Sequence, residues 1–405
     1  MTTQVCAAGE GAVPDGAAPS PACWSGVWAM ALCVFALIAS EFMPVSLLTP
    51  IAADLQVSEG RVGQGIAVSG ALAVLASLAI PALARRMDRR VLLLWLTGLM
   101  GLSGAVIALA TDYAMYLAGR ALIGVVVGGF WALSAATAMR LVPAPQVPRA
   151  LAIFNGGNAL ATVVAAPLGS YLGAVIGWRG AFACLVPVAL LAWLWQWVSL
   201  PAMRPESHVA GAGNPLRLLQ RPLVAWGMLA VGVFFMGQFV LFTYVRPFAE
   251  TVTLVGPYSL SIILLATGVA GVIGTAVVGA LLERRLYLVL VAAPLAMAAV
   301  AVALVAFGEN LAAVVALMAA WGFVATAAPV AWWTWVARTL PQQAEAGGGL
   351  MVATVQLAIA LGSTLGGLLF DTRGYQSTFM ASAALLLVSA GLVLAAKRAD
   401  QADVG

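Results

Sequence analysis

The stretch Gly26-VWAMALCVFALIASEFMPVSLL-Thr49 holds a single charge, Glu41, in 24 residues. A helix needs about 20 mostly apolar residues to cross the roughly 30 Å hydrocarbon core of a bilayer, so this run is long enough to span one. The rest of the chain repeats the pattern. Of its 405 residues, 63% are hydrophobic and 8% charged, whereas soluble domains carry roughly 25% charged residues. Too few charges remain to cover a water-exposed surface, and the surplus apolar surface must face lipid.

Further runs lie at roughly 62–84, 91–110, 113–139, 150–176, 180–200, 222–245, 257–282, 286–307, 311–337, 347–370 and 376–396. With the first they make twelve spans. Residues 201–221 interrupt them with Pro201, Pro205, Gly211 and Gly213 and end on Arg217 and Arg221. They read as a cytoplasmic linker between one six-helix bundle at 24–200 and a second at 222–397. Residues 1–23 read as a disordered cytoplasmic tail, and 398–405 as a short cytoplasmic tail.

Charge gives the orientation. Of 19 basic residues, fourteen fall in tails and loops on one side, among them Arg85, Arg86, Arg89, Arg90, Arg284 and Arg285. Only Arg61, Arg179, Arg246 and Arg373 fall on the other, and the nineteenth is Arg120 inside a span. The positive-inside bias puts both termini in the cytoplasm. It also explains the net charge of +4 without nucleic acid, because no soluble basic face exists.

The halves echo each other. Ala84-x-x-x-Asp88-Arg89-Arg90 follows the second span, and Gly279-x-x-x-Glu283-Arg284-Arg285 follows the eighth; Gly177-Trp-Arg-Gly-Ala-Phe182 has a weaker echo in Gly374 to Phe379. Such a duplicated unit suits a transporter that rocks two halves about a central site.

Several chemistries are excluded. The only lysine is Lys397 and the only histidine His208, so there is no lysine-bearing phosphate loop and no histidine–carboxylate metal cluster. No G-x-S-x-G elbow occurs, and Cys6, Cys23, Cys33 and Cys184 show no paired or metal-type spacing. The chain is expected to be no enzyme, to need no cofactor and no metal, and to transport a solute on an ion gradient.

Two ionisable residues lie within runs: Glu41 in the first and Arg120 in the fourth. Charges in hydrocarbon are costly and tend to face a cavity or a partner. At 1.5 Å per residue both sit roughly 10–12 Å below the outer surface, so pairing is possible. A carboxyl balanced between desolvation, which favours its neutral form, and a nearby arginine, which favours its charged form, can load and release a proton. Glu41 is thus the candidate proton carrier and Arg120 its partner, with a static structural pair as the competing reading. Arg120, Gly124, Gly128 and Trp131 fall within about 80° around their helix. The fifth span aligns Asn155, Asn158 and Thr162, the seventh carries Gln238 with Phe235 and Phe242, and the eleventh has Gln356 and Ser363. Aromatics and amides with few charges suit an uncharged, planar, hydrogen-bonding solute. Trp131, Asn158, Gln238, Phe242 and Gln356 are the candidate binding residues.

Asp88-Arg89-Arg90, Arg120-x-x-x-Gly124 and Ala166-Pro-Leu-Gly-Ser170 resemble the loop, proton-coupling and antiporter motifs of the major facilitator superfamily, in its twelve-span drug–proton antiporter branch. Ala84 stands where the loop motif has Gly, and the antiporter motif is degraded. The resemblance implies an all-α fold of two pseudo-symmetric six-helix bundles working as a monomer. It also implies gating by Asp88, Arg89, Glu283 and Arg284. Glu41-Phe-Met-Pro-Val-Ser-Leu-Leu-Thr-Pro50, Gly128-Gly-Phe-Trp-Ala132, Met139-Arg-Leu-Val-Pro143, Arg217-Leu-Leu-Gln-Arg-Pro222 and Thr243-Tyr-Val-Arg-Pro247 resemble bacterial purine ribonucleoside efflux pumps. That likeness implies export of inosine- and guanosine-like nucleosides in exchange for protons at the inner membrane. A sugar or broad drug exporter of the same fold is the alternative within transport. A non-transporting membrane sensor or scaffold is the alternative outside it.

Overall fold

The computed structural model describes residues 22–84, 87–203 and 215–404. The tail at 1–21 and the linker segment 204–214, with His208, lie outside the described residues. Spans one to four are the helices Trp24–Leu55, Glu59–Ala84, Arg89–Ala108 and Tyr113–Arg140. The helix Val147–Ala183 breaks at Gly177, which ends span five; span six continues through Leu185–Ser199. Span seven is Pro222–Phe242, followed by the short helix Val245–Thr251. Pro257–Phe307 breaks at Arg285 into spans eight and nine. Leu311–Thr339 is span ten, and Ala344–Val404 breaks at Gly374 into spans eleven and twelve. The last helix runs to Val404, so 398–404 are helical.

Large apolar side chains such as Trp95, Leu109 and Leu368 are exposed on the outer faces of the helices. That arrangement is stable where the solvent is lipid. The chain is a multi-pass membrane protein.

The breaks carry the internal symmetry. Gly177 has φ 76° and Gly374 φ 78°, a left-handed backbone open to glycine at little cost. Each turns the chain between the fifth and sixth spans of its half. The aromatic echo persists in three dimensions: Trp178 meets Phe182 edge-on at 6.5 Å, and Tyr375 meets Phe379 edge-on at 5.9 Å. The crossing of spans two and four also repeats. A Cβ on Gly124 would strike the Ser69 carbonyl, and a Cβ on Gly322 would strike the Thr267 carbonyl.

The halves meet through span two against span eleven and span five against span eight. Among the described residues, the hydrogen bonds joining them run from mid-membrane to the end opposite the arginine-rich loops. Asp371 accepts from Ser58 Oγ at 2.5 Å and from the Gly60 amide at 3.0 Å, so a carboxylate of one half caps the first turn of span two in the other. Ser170 Oγ donates to the Pro257 carbonyl at 3.2 Å. Arg246, buried and paired with Glu250 at 2.8 Å, donates to the Ser46 carbonyl. Toward the basic end, Asn155 is exposed, and Gly156 and Gly349 face open space. The bonds of Asp371, Ser170 and Arg246 fasten the halves at the end opposite the arginine-rich loops.

Gly128 packs so closely on span two that a Cβ would collide with the Ala73 carbonyl oxygen. Backbone cannot yield as a flexible side chain can, and overpacking costs about 1–3 kcal/mol. Gly128→Leu should lower the melting temperature in detergent by several degrees and cut the yield of monodisperse protein. Gly156→Leu, at an open position, should do neither.

Candidate functional site

The centre of the site is built on a buried arginine. Arg120 is wholly inaccessible. Its guanidinium donates Nη1 to the Ser40 carbonyl at 2.9 Å, Nη2 to Ser69 Oγ at 3.0 Å, and Nε to the Gly65 carbonyl at 3.3 Å. One side chain from span four thus fastens spans one and two, and Gly124 and Gly128 bring spans two and four close enough for it to reach. The acceptors are neutral. Glu41 is adjacent in sequence to Ser40, and its carboxylate turns elsewhere.

Glu41 Oε1 accepts from Gln356 Nε2 of span eleven at 3.3 Å. This bond crosses between the halves near mid-membrane. Phe42, next along span one, joins Phe239 and Phe242 of span seven in an aromatic cluster with ring centres 6.3–6.4 Å apart. Gln238, one residue before Phe239, has a buried Oε1 without a hydrogen-bond partner. Glu41, Gln356 and the three phenylalanines form one neighbourhood, contributed by spans one, seven and eleven.

Two expected binding residues lie apart from it. Trp131 shares the Arg120 face but stands eleven residues further along, roughly 16 Å toward the basic end at 1.5 Å per residue. There it meets Phe154 of span five edge-on at 6.2 Å. Asn158 is half-buried on span five, and its carbonyl accepts from Thr162 Oγ1 at 2.9 Å. Angular alignment grouped Trp131 with Arg120; the axial rise separates them.

The loop residues take definite places. Asp88 caps span three by accepting from the Arg90 amide at 2.7 Å, and both its oxygens accept from the Met203 amide at 3.0 Å. The Arg89 amide returns a bond to the Met203 carbonyl at 3.2 Å. Asp88 and Arg89 therefore bind the start of the linker within their own half. The side chains of Glu283 and Arg284 lie outside the described residues.

Sequence reasoning missed Phe42 and Asp371. Phe42 had a signal, its place beside the only carboxylate well inside a span. Asp371 had none, since an acid at a span end reads as an ordinary loop charge.

A twelve-helix bundle in two halves, with a buried polar centre between them, defines a membrane transporter and not an enzyme. The chain belongs to the Major Facilitator Superfamily, whose family model matches residues 30–362. It is 62% identical over 378 residues to a Pseudomonas aeruginosa protein named transcription regulatory protein OpdE, covering 93% of this chain and 94% of that one. It is 42% identical over 373 residues to the purine ribonucleoside efflux pump NepI of Escherichia coli, covering 92% and 94%. The fold matches the nucleoside transporter NupG with a TM-score of 0.76 at 11% identity, over 92% of this chain and 98% of that one. It also matches an inward-facing bacterial homologue of the lysosomal transporter Spinster, TM-score 0.75 at 14% identity, over 94% and 98%.

Removing the Arg120 guanidinium would leave the Ser40 carbonyl, to which Pro44 offers no helical N–H, without its donor, at about 1–3 kcal/mol for a buried group. Arg120→Met should therefore lower the melting temperature of the purified protein markedly, while Glu41→Gln leaves it near wild type. Equal losses in both variants would mean that the two residues serve the fold alike.

Proposed function

We propose that this protein exports purine ribonucleosides such as inosine and guanosine in exchange for protons, by alternating access, with Glu41 as the proton carrier. The observation that carries the reading is the Glu41–Gln356 hydrogen bond between the halves, set beside the Phe42–Phe239–Phe242 cluster. A hydrogen bond to a carboxylate is roughly twice as strong as one between neutral groups. Protonating Glu41 weakens its hold on Gln356 and loosens one half from the other. Deprotonation restores it. A proton thereby biases the same interface that must open and close for transport, with Arg120 holding span one in place beneath it.

A purine offers a π face to the phenylalanines and polar edges to the amides of Gln238 and Gln356, which can both donate and accept. The unpartnered Gln238 Oε1 is an acceptor awaiting such a donor. Trp131 and Asn158 contact the solute as it moves along its path. The basic end faces the cytoplasm of a bacterial cell, both termini lie there, and the monomer is the working unit, built from the halves 24–200 and 222–397. Asp88 and Arg89 act at the gate through Met203, with Glu283 and Arg284 as their counterparts. Support comes from the NepI relative, whose name states a purine ribonucleoside solute.

The OpdE relative favours a second reading, because its name states transcription regulation. In this chain such an effect would be indirect: the solute it moves changes gene expression. Deleting it would then alter transcription in a way that added solute reverses.

Everted membrane vesicles energised with a proton gradient test the proposal. Wild-type vesicles should accumulate labelled inosine and guanosine but not arabinose or a cationic dye. Glu41→Gln should abolish accumulation while inserting normally, and Gln238→Ala should change the ranking among purines. Accumulation of the sugar or dye alone would overturn the solute, and undiminished uptake by Glu41→Gln would overturn the carrier.

A further inference from the structure

At the basic end, away from the Glu41 site, three helix ends of the second half converge around a cavity of about 400 Å³. Arg285 sits at the break between spans eight and nine, where φ is −137° and ψ 39°. Tyr287 follows at the start of span nine. Trp335 and Arg338 come from the end of span ten, and Lys397 and Asp400 from the last turns of span twelve. Among the described residues, Arg285, Arg338 and Lys397 line the cavity with one carboxylate, Asp400. Asp400 is engaged with the Tyr287 hydroxyl, which also receives Trp335 Nε1 at 3.4 Å. Arg338 Nη2 donates to the Leu282 carbonyl at 3.1 Å. Arg285, Arg338 and Lys397 are gathered in a concave place at the cytoplasmic end of the spans.

An apolar track leads away from it. Leu288, Leu295 and Val302 are exposed at seven-residue spacing down span nine, and Met380, Leu387 and Leu394 are exposed at the same spacing on span twelve. Both stripes run from the cavity toward the bilayer centre. The topogenic bias of the loops explains basic residues at this end. It does not explain a cavity closed by three helix termini at the head of two lipid-facing stripes.

We propose that this cavity binds the headgroup of an anionic phospholipid, its phosphate held by Arg285, Arg338 and Lys397 and its acyl chains lying on the stripes of spans nine and twelve. Basic pockets between transmembrane helices suit such headgroups, and arginine forks match phosphate oxygens. A soluble phosphate would use the cations but not the stripes. The bound lipid ties the ends of spans nine, ten and twelve together and stabilises the second half. The inference does not depend on which solute is carried.

The test uses the full-length protein in neutral detergent, titrated with phosphatidylglycerol, phosphatidylcholine or inorganic phosphate, with melting temperature and native mass spectrometry as readouts. Phosphatidylglycerol should raise the melting temperature, because a ligand of the folded state stabilises it, and should remain bound in the gas phase; the other two should do neither. Arg285→Gln with Lys397→Gln should need about tenfold or more phosphatidylglycerol for the same shift. Arg140→Gln with Arg149→Gln, an equal charge loss elsewhere on the same end, should respond as wild type. Lys397→Gln alone, at an exposed position, keeps the test available if the double variant does not fold. Equal responses to the two lipids, or a wild-type response from both Lys397 variants, would overturn the proposal. Stabilisation by inorganic phosphate matching that by phosphatidylglycerol would replace the lipid with a free anion.

Discussion

The structure turns on one buried cation. A guanidinium in an apolar bundle is tolerated only when its donors are satisfied, and Arg120 meets that demand with Ser40, Gly65 and Ser69. Those contacts require three helices to pass within a side chain's reach of one another, which is why glycine occupies positions 124 and 128. The symmetry-related crossing shows what the charge adds. Gly322 crosses Thr267 as Gly124 crosses Ser69, yet the position four residues before Gly322 is the buried Met318. The second half obtains its packing without a charge, so the arginine's cost is carried in the first half alone, next to the carboxylate.

That placement frees Glu41. Because Arg120 spends its hydrogen bonds on backbone and hydroxyl oxygens, the carboxylate is available to Gln356 in the other half. A closed Glu41–Arg120 ion pair would be a structural lock within one half. A carboxylate bonded across the interface makes each half sensitive to its protonation. Beyond mid-membrane the interface is fastened by Asp371 on the start of span two and by Arg246 on Ser46. Among these described bonds between the halves, the Glu41 bond lies nearest mid-membrane.

Much of the fold was legible in the sequence because a bilayer leaves few options. Apolar length gives the spans, and the breaks at Gly177, Arg285 and Gly374 fall between the runs that hydropathy separated. The duplicated motifs forecast the repeated turns. The site was legible in its charges, since a carboxylate and an arginine inside spans are conspicuous against a background with 8% charged residues. Partners were harder to read. Depth allowed Glu41 to meet Arg120, but which acceptor a side chain selects depends on rotamers and on helices distant in sequence. Periodicity put Trp131 on the Arg120 face, and the eleven-residue spacing puts it roughly 16 Å further along. Asp371 stayed hidden because its partner, the first turn of span two, lies more than 300 residues away.

Export in exchange for protons, as proposed, requires that solute and proton oppose each other through Glu41. The most direct measurement is proton release from purified protein in weakly buffered detergent on addition of inosine, followed with a pH dye. By reciprocal linkage, wild type should release about one proton per chain near the pH at which Glu41 titrates, and Glu41→Gln should release none while still binding inosine. The same release from Glu41→Gln would contradict the claim, as would inosine binding to the wild type with no proton release at any pH.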